Sequence, residues 1–152
     1  MIGKDDNDNL MCVNFDILEG LLIKHIEISE DKDQIDFITH NDIQFCMYHS
    51  QDCCESVSLE DICGDLEDLT KSPIIHAEES SDTTRDEDES NTWTFYKLST
   101  NQGSVTLRWY GTSNGYYSED VNFYMSEKSF KQAPEEDKCF MVLKHTELLR
   151  LI

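Results

Sequence analysis

Three short runs, 92–98, 105–110 and 121–125, carry large apolar side chains at alternate positions. A period of two puts successive side chains on opposite faces of a strand, so this half of the chain is restricted to half-buried antiparallel strands. Trp93, Phe95 and Lys97 share one face, Val105, Leu107 and Trp109 another, and Val121 with Phe123 matches them. Asn101-Gln102-Gly103 makes the first turn and the segment ending in Asn114-Gly115 the second; Asn-Gly tolerates the positive φ of a tight turn. Tyr116 and Tyr117 are therefore presented from a fixed loop. Upstream, strand-like runs at 20–28, 34–39 and 43–48 are joined by polar turns at 30–33 and at Asn41-Asp42 and form an earlier meander, and 73–77 reads as a further short strand.

Between the meanders, Leu59, Ile62, Leu66 and Leu69 have the 3-4-3 spacing of one helix face. Ser58 with Asp61 resembles a capping pair, Gly64 is a weak point, and Ser72-Pro73 ends the segment. Near the C-terminus, Pro134 followed by Glu135, Glu136 and Asp137 looks like a first helical turn, and 138–151 can continue it as an amphipathic helix; a strand through 139–143 is the rival. The expected fold class is α+β: two antiparallel meanders forming one twisted sheet or a small barrel-like sandwich, packed by a short acidic helix at 58–69, with a C-terminal helix. A chain of 152 residues suits one domain, read as an acidic extension at 1–15, a core at 16–126 and an extension at 127–152.

Thirty-two Asp and Glu against 12 Lys and Arg give a net charge of −20. Such a chain is repelled by phosphate backbones and anionic membranes, so the expected partners are basic proteins and not nucleic acid. The stretch 78–90 holds seven acids, one Arg and no large apolar residue, and reads as a solvated loop, with Glu87, Asp88 and Glu89 placed to meet a basic partner. Tyr116 and Tyr117 are the matching contact residues, because Tyr is enriched at interfaces. No run approaches the ~20 apolar residues of a membrane-spanning helix. The N-terminus, Met1-Ile2-Gly3-Lys4-Asp5-Asp6, lacks the apolar region of a secretory signal, which leads to the expectation of a cytoplasmic protein with reduced thiols.

Among six cysteines, Cys53 and Cys54 lie in His49-Ser50-Gln51-Asp52-Cys53-Cys54-Glu55, a dense run of potential ligands. Thiolate and imidazole are ligands that Zn²⁺ prefers. A structural zinc bound by His49, Cys53 and Cys54 is expected, with help from Asp52 or Asp61; Cys63 and the pair His76 and Glu79 are further candidates for the fourth position. The alternative is two small, semi-buried cysteines packing at a helix start. A Cys nucleophile with His49 as base is disfavoured, since the surrounding carboxylates raise a thiol's pKa, and no enzyme is expected. A vicinal Cys53–Cys54 disulfide is disfavoured by a reducing cytosol.

The motifs HSQDCCESV, EDICGDLEDL, TWTFYKL and VTLRWYGTSNGYYSEDV, in that order over roughly 18–125, resemble a family of small, functionally unassigned proteins of bacteriophages and prophages. The resemblance implies a phage accessory protein in the bacterial host cytoplasm, a class that includes inhibitors of host defence such as anti-CRISPR proteins. It implies no chemistry, and it adds weight to His49, Asp52, Cys53 and Cys54 as a unit. Two functions follow as expectations: a stoichiometric inhibitor of a basic host defence protein such as a Cas effector, blocking its DNA loading, or a phage structural or scaffold protein whose acidity serves solubility.

Overall fold

The computed structural model describes residues 9–152. In chain order its strands are β1 (Leu10–Cys12), β2 (Ile23–Ile28), β3 (Gln34–Thr39), β4 (Gln44–Tyr48), β5 (Ser56–Cys63), β6 (His76–Arg85), β7 (Ser90–Thr100), β8 (Gly103–Ser113) and β9 (Asn122–Ser126). Two helices follow, α1 (Glu127–Lys131) and α2 (Glu135–Lys144), and single 3-10 segments occupy Phe15–Leu18, Leu66–Leu69 and Thr146–Leu151. The strands form two antiparallel sheets, one of five in the order β1-β9-β4-β3-β2 and one of four in the order β5-β8-β7-β6. The α+β class holds, as two sheets that do not close into a barrel; the second expected meander is broken, because after β8 the run at 121–125 crosses over and pairs, as β9, with β1 and β4 of the five-stranded sheet. The expectation for the first eight residues lies outside the described part of the chain.

One apolar cluster draws on both sheets. Trp109 of β8 and Tyr96 of β7 are fully buried, and the Trp109 indole N–H points at the Met47 sulfur of β4, 3.2 Å away, across the space between the sheets. Phe15 meets Tyr96 and Phe123 edge-on with ring centroids 4.7 and 5.2 Å apart, which ties the 3-10 segment at Phe15–Leu18 to both sheets. The Tyr96 hydroxyl lies 2.9 Å from the Glu79 carboxylate and 3.2 Å from the Val121 carbonyl. Burial, and then the Glu79 charge, push this phenol well above its ordinary pKa, so it stays a neutral donor. Phe130, Met141, Leu148 and Leu151 from the C-terminal segment join the same core.

Three elements differ from the sequence expectation. The helix expected at 58–69 is strand β5 followed by the 3-10 segment Leu66–Leu69. A β-bulge between Leu59 and Asp61 explains the misleading spacing: Leu59 pairs with Trp109 and Ile62 with Leu107, so both face inward three residues apart. The bulge thus imitates a helical period. The loop expected at 78–90 is mostly β6, paired with β7 at ten positions, and only 86–89 turn. Backbone pairing at a sheet edge does not require buried side chains, and of β6 only Ala77 is buried. The polar linker at 127–133 contains α1, capped by Ser126 accepting from the Ser129 N–H, and the C-terminal helix gives way to 3-10 geometry after Lys144.

Removing the side chain that spans the sheets should be felt by the whole fold. Trp109→Ala is expected to lower unfolding stability by about 3–5 kcal/mol in urea titrations, and a loss below ~1 kcal/mol would contradict this packing.

Candidate functional site

The chain changes sheet twice near one end of the molecule. After β4 it leaves the five-stranded sheet through 49–55 to start β5, and after β8 it returns through 114–121 to start β9. Register brings the two crossings and the β6–β7 turn together, because Ser56 pairs with Thr112 and Ser90 with Ser113.

Glu55 organises the first crossing. The side chains of His49 and Glu55 are 4% and 0% exposed, and the His49 Nε2 lies 3.0 Å from Glu55 Oε2. Glu55 also accepts from the Gln51 amide at 3.0 Å and from the backbone N–H groups of Cys53 at 2.8 Å and Asp52 at 3.3 Å. Gln51 bonds the Glu55 carbonyl as well, at 2.7 Å. Burial alone raises the Glu55 carboxyl; the Cys53 N–H, His49, its own N–H and the Asp52 N–H outweigh burial and hold it at about 2, below its ordinary 4.5. The other His49 nitrogen, Nδ1, faces the Asp120 carbonyl in the second crossing. Both neighbours are acceptors, so the arrangement is fully satisfied when both ring nitrogens carry protons.

Glu119 organises the second crossing in the same manner. It is buried, 6% exposed, and accepts from the hydroxyls of Thr92 at 2.7 Å, Ser90 at 3.1 Å and Ser113 at 2.7 Å. Gly111 allows the approach, since a Cβ there would meet Glu119 and Val57 at 3.0 Å. Nothing in the sequence separated Glu55 and Glu119 from the other 30 acids as buried groups.

Cys53 and Cys54 are exposed at this loop and joined to each other by a disulfide, the pairing that the sequence reading disfavoured. Asp52 is exposed at the same loop, whereas Asp61 lies on β5 and pairs with Arg108 at 2.9 Å. Among the described residues no group of three or more His, Cys, Asp or Glu side chains is arranged to hold a metal ion. Cys54 and Glu89 line one open groove of 370 Å³ with Tyr110 and Asn114. Tyr116 and Tyr117 line its neighbour of 280 Å³ with Arg85 and Glu119. Their rings meet edge-on at 5.0 Å, and Tyr116 is 83% exposed. Glu87, Asp88 and Glu89 sit exposed in the β6–β7 turn, where Asp86 accepts from the N–H groups of Asp88 and Glu89. His49, Asp52, Cys53, Cys54, the acids at 87–89 and the two tyrosines are therefore gathered at one end of the four-stranded sheet, whereas Asp61 lies farther along β5 and the other candidates for the fourth metal position, Cys63, His76 and Glu79, lie toward the opposite end.

A family of domains of unknown function, DUF7448, matches residues 19–123. The chain belongs to the DUF7448 family. The DUF7448 region contains both crossings with Glu55 and Glu119, while β1, α1 and α2 lie outside it. No curated protein and no solved structure matches the chain. No helix among the described residues is long and apolar enough to cross a membrane.

The depressed Glu55 carboxyl makes stability acid-sensitive. Its folded value lies below its unfolded one, so the contribution is fully present above about pH 4.5 and lost as pH falls toward about 2. Glu55→Gln should therefore be less stable than the parent at pH 7, and the two should converge as pH falls through that window. Parallel curves of melting temperature against pH would contradict this.

Proposed function

We propose that this DUF7448 protein is a non-enzymatic acidic inhibitor that acts in a bacterial cytoplasm, binding a basic, nucleic-acid-handling defence protein of the Cas effector kind and blocking its DNA loading. The observation that carries the reading is the β6–β7 ribbon, on which Glu78, Glu79, Asp82, Asp86, Glu87, Asp88 and Glu89 are all exposed. Pairing with β7 fixes Glu78 and Asp82 on the outer face of β6 and Glu79 on the other face beside the Tyr96 hydroxyl, where a loop would disperse them. A preorganised set of carboxylates suits a channel lined with Lys and Arg, because less ordering entropy is lost on contact. A net charge of −20 is also far beyond the magnitude of ~2–8 that solubility asks of a small domain. Against an enzyme stands the engagement of His49, whose two ring nitrogens face Glu55 and the Asp120 carbonyl and not the Cys53 or Cys54 sulfur.

The test is capture of a basic partner from a bacterial host at low salt, followed by a DNA-loading assay on that partner. Reversing Glu87, Asp88 and Glu89 to Lys should slow association by about tenfold, with a weaker effect at high salt. Tyr116→Ala should speed dissociation by roughly tenfold or more. A captured partner whose DNA loading is unchanged, or co-purification with virion parts alone, contradicts the inhibitor reading.

The zinc reading belongs to the reduced protein. With the Cys53–Cys54 bond opened, Cys53, Cys54 and His49 supply the donors zinc prefers, His49 exchanging Glu55 for the ion, and the role would be structural. Metal analysis of protein purified under reducing conditions should find about one zinc per chain, lost in Cys53→Ser. Absence of stoichiometric zinc ends this part of the proposal.

A further inference from the structure

The outer face of the four-stranded sheet carries aromatic side chains that the core does not use. Trp93 and Phe95 of β7 and Tyr110 of β8 alternate with the buried Thr92, Thr94, Tyr96 and Trp109, so all three point away from the core and remain partly exposed. They form one continuous patch: Trp93 and Phe95 stack with centroids 6.3 Å apart and planes 7° from parallel, and Trp93 meets Tyr110 at 4.8 Å. The Arg108 guanidinium lies over the Trp93 ring, 4.9 Å from its centroid, while bonding Asp61 at 2.9 Å. The face therefore already displays the arrangement that recognises a guanidinium, an aromatic plane with a carboxylate beside it.

The patch is flanked by acids. Register places Asp82 against Trp93, Ser80 against Phe95 and Glu78 against Lys97, so on the edge strand Asp82 is the carboxylate beside the aromatic row and Glu78, 3.1 Å from His76, lies past its end, while Asp61 stands on the opposite side, bonded to Arg108. The turn holding Asp86, Glu87, Asp88 and Glu89 continues the row at one end. A second copy of this chain is a poor occupant, because it would bring another −20 against this one. Nucleic acid is excluded by the same sign.

We infer that the outer face of the β5-β8-β7-β6 sheet is a docking surface for an arginine-bearing segment of a protein partner, whose guanidinium groups stack on Trp93, Phe95 and Tyr110 and pair with Asp82. The inference rests on the acidic-binder reading and specifies it: the ribbon acids steer the partner in, and the aromatic face supplies desolvated contact that charge alone lacks. Arginine is favoured over lysine because its planar, weakly hydrated cation stacks on rings and keeps its in-plane donors for carboxylates.

The two tryptophans provide the readout. Trp93 is on the docking face and Trp109 is fully buried, so the two indole N–H resonances report on face and core separately. Full-length protein is titrated with a synthetic Arg-Gly repeat peptide and with a Lys-Gly peptide of equal length and charge. The Trp93 indole should shift and the Trp109 indole should stay within a small fraction of that shift. The Arg peptide should bind about threefold or more tighter than the Lys peptide, and Trp93→Ala should weaken the Arg peptide about tenfold while the Trp109 resonance stays at its folded position. Equal binding of the two peptides, or binding that survives Trp93→Ala but is lost on Lys reversal of Glu87, Asp88 and Glu89, overturns the docking face and leaves the acidic-binder reading standing. No binding of either peptide at low salt overturns both. A Trp93-dependent dimer in sedimentation, with no peptide-induced shift, assigns the face to self-association and overturns the inference.

Discussion

Two carboxylates buried where the chain crosses between sheets set the shape of one end of this molecule. An ionised carboxylate removed from water is tolerated only when its lone pairs are met by donors. Glu55 meets this demand with Gln51, His49 and two backbone N–H groups, and Glu119 meets it with three hydroxyls drawn from β7 and β8. Each carboxylate thereby prescribes the path of its own crossing. His49, bonded to Glu55 through one nitrogen and facing the Asp120 carbonyl through the other, fastens the first crossing to the second. Such a network is stable when complete and costly when one member is lost.

This constraint moves the centre of interest along the chain. The run His49 to Glu55 is dense in reactive residue types, yet in the folded chain its histidine and glutamate hold each other, and its cysteines lie outside on a loop that those two residues shape. What the crossings position is the end of the four-stranded sheet: the acid turn at 86–89, the Asn114-Gly115 turn and Tyr116. From there the exposed acids of β6 and the aromatic row of β7 and β8 run along the sheet. Exposed carboxylates and stacked rings thus occupy adjacent strands.

The long alternating strands were legible because period-two burial is written directly in residue type, as in Val105, Leu107 and Trp109 against Thr106, Arg108 and Tyr110. Strand β5 was not, because its bulge shifts the inward set by one residue and gives Leu59 and Ile62 a helical separation. Strand β6 was hidden for another reason: an edge strand with polar side chains on both faces has no hydrophobic period to read. The expected site residues were mostly brought together, but the groups that gather them were unreadable. Glu55 bonds His49 six positions away through a fold-made contact, and the three hydroxyls on Glu119 come from residues up to 29 positions distant. The face of Trp93 and Phe95 was visible as a shared face, but only the register with β6 reveals Asp82 beside it.

That the two crossings form one unit, with His49 to Glu55 serving as the joint, is tested most directly by native-state hydrogen exchange at the Cys53 amide. This N–H is held by Glu55 on a loop whose side chains are largely exposed, so its protection reports the joint alone. Glu119→Gln removes a side-chain contact of the other crossing only and touches none of residues 49–55 directly. The structure predicts that Cys53 is protected in the parent protein and that Glu119→Gln lowers this protection by about tenfold or more, while amides in the middle of β3 change far less. A Cys53 amide that exchanges at the rate of a free loop, or one whose protection is unaltered by Glu119→Gln, would contradict it.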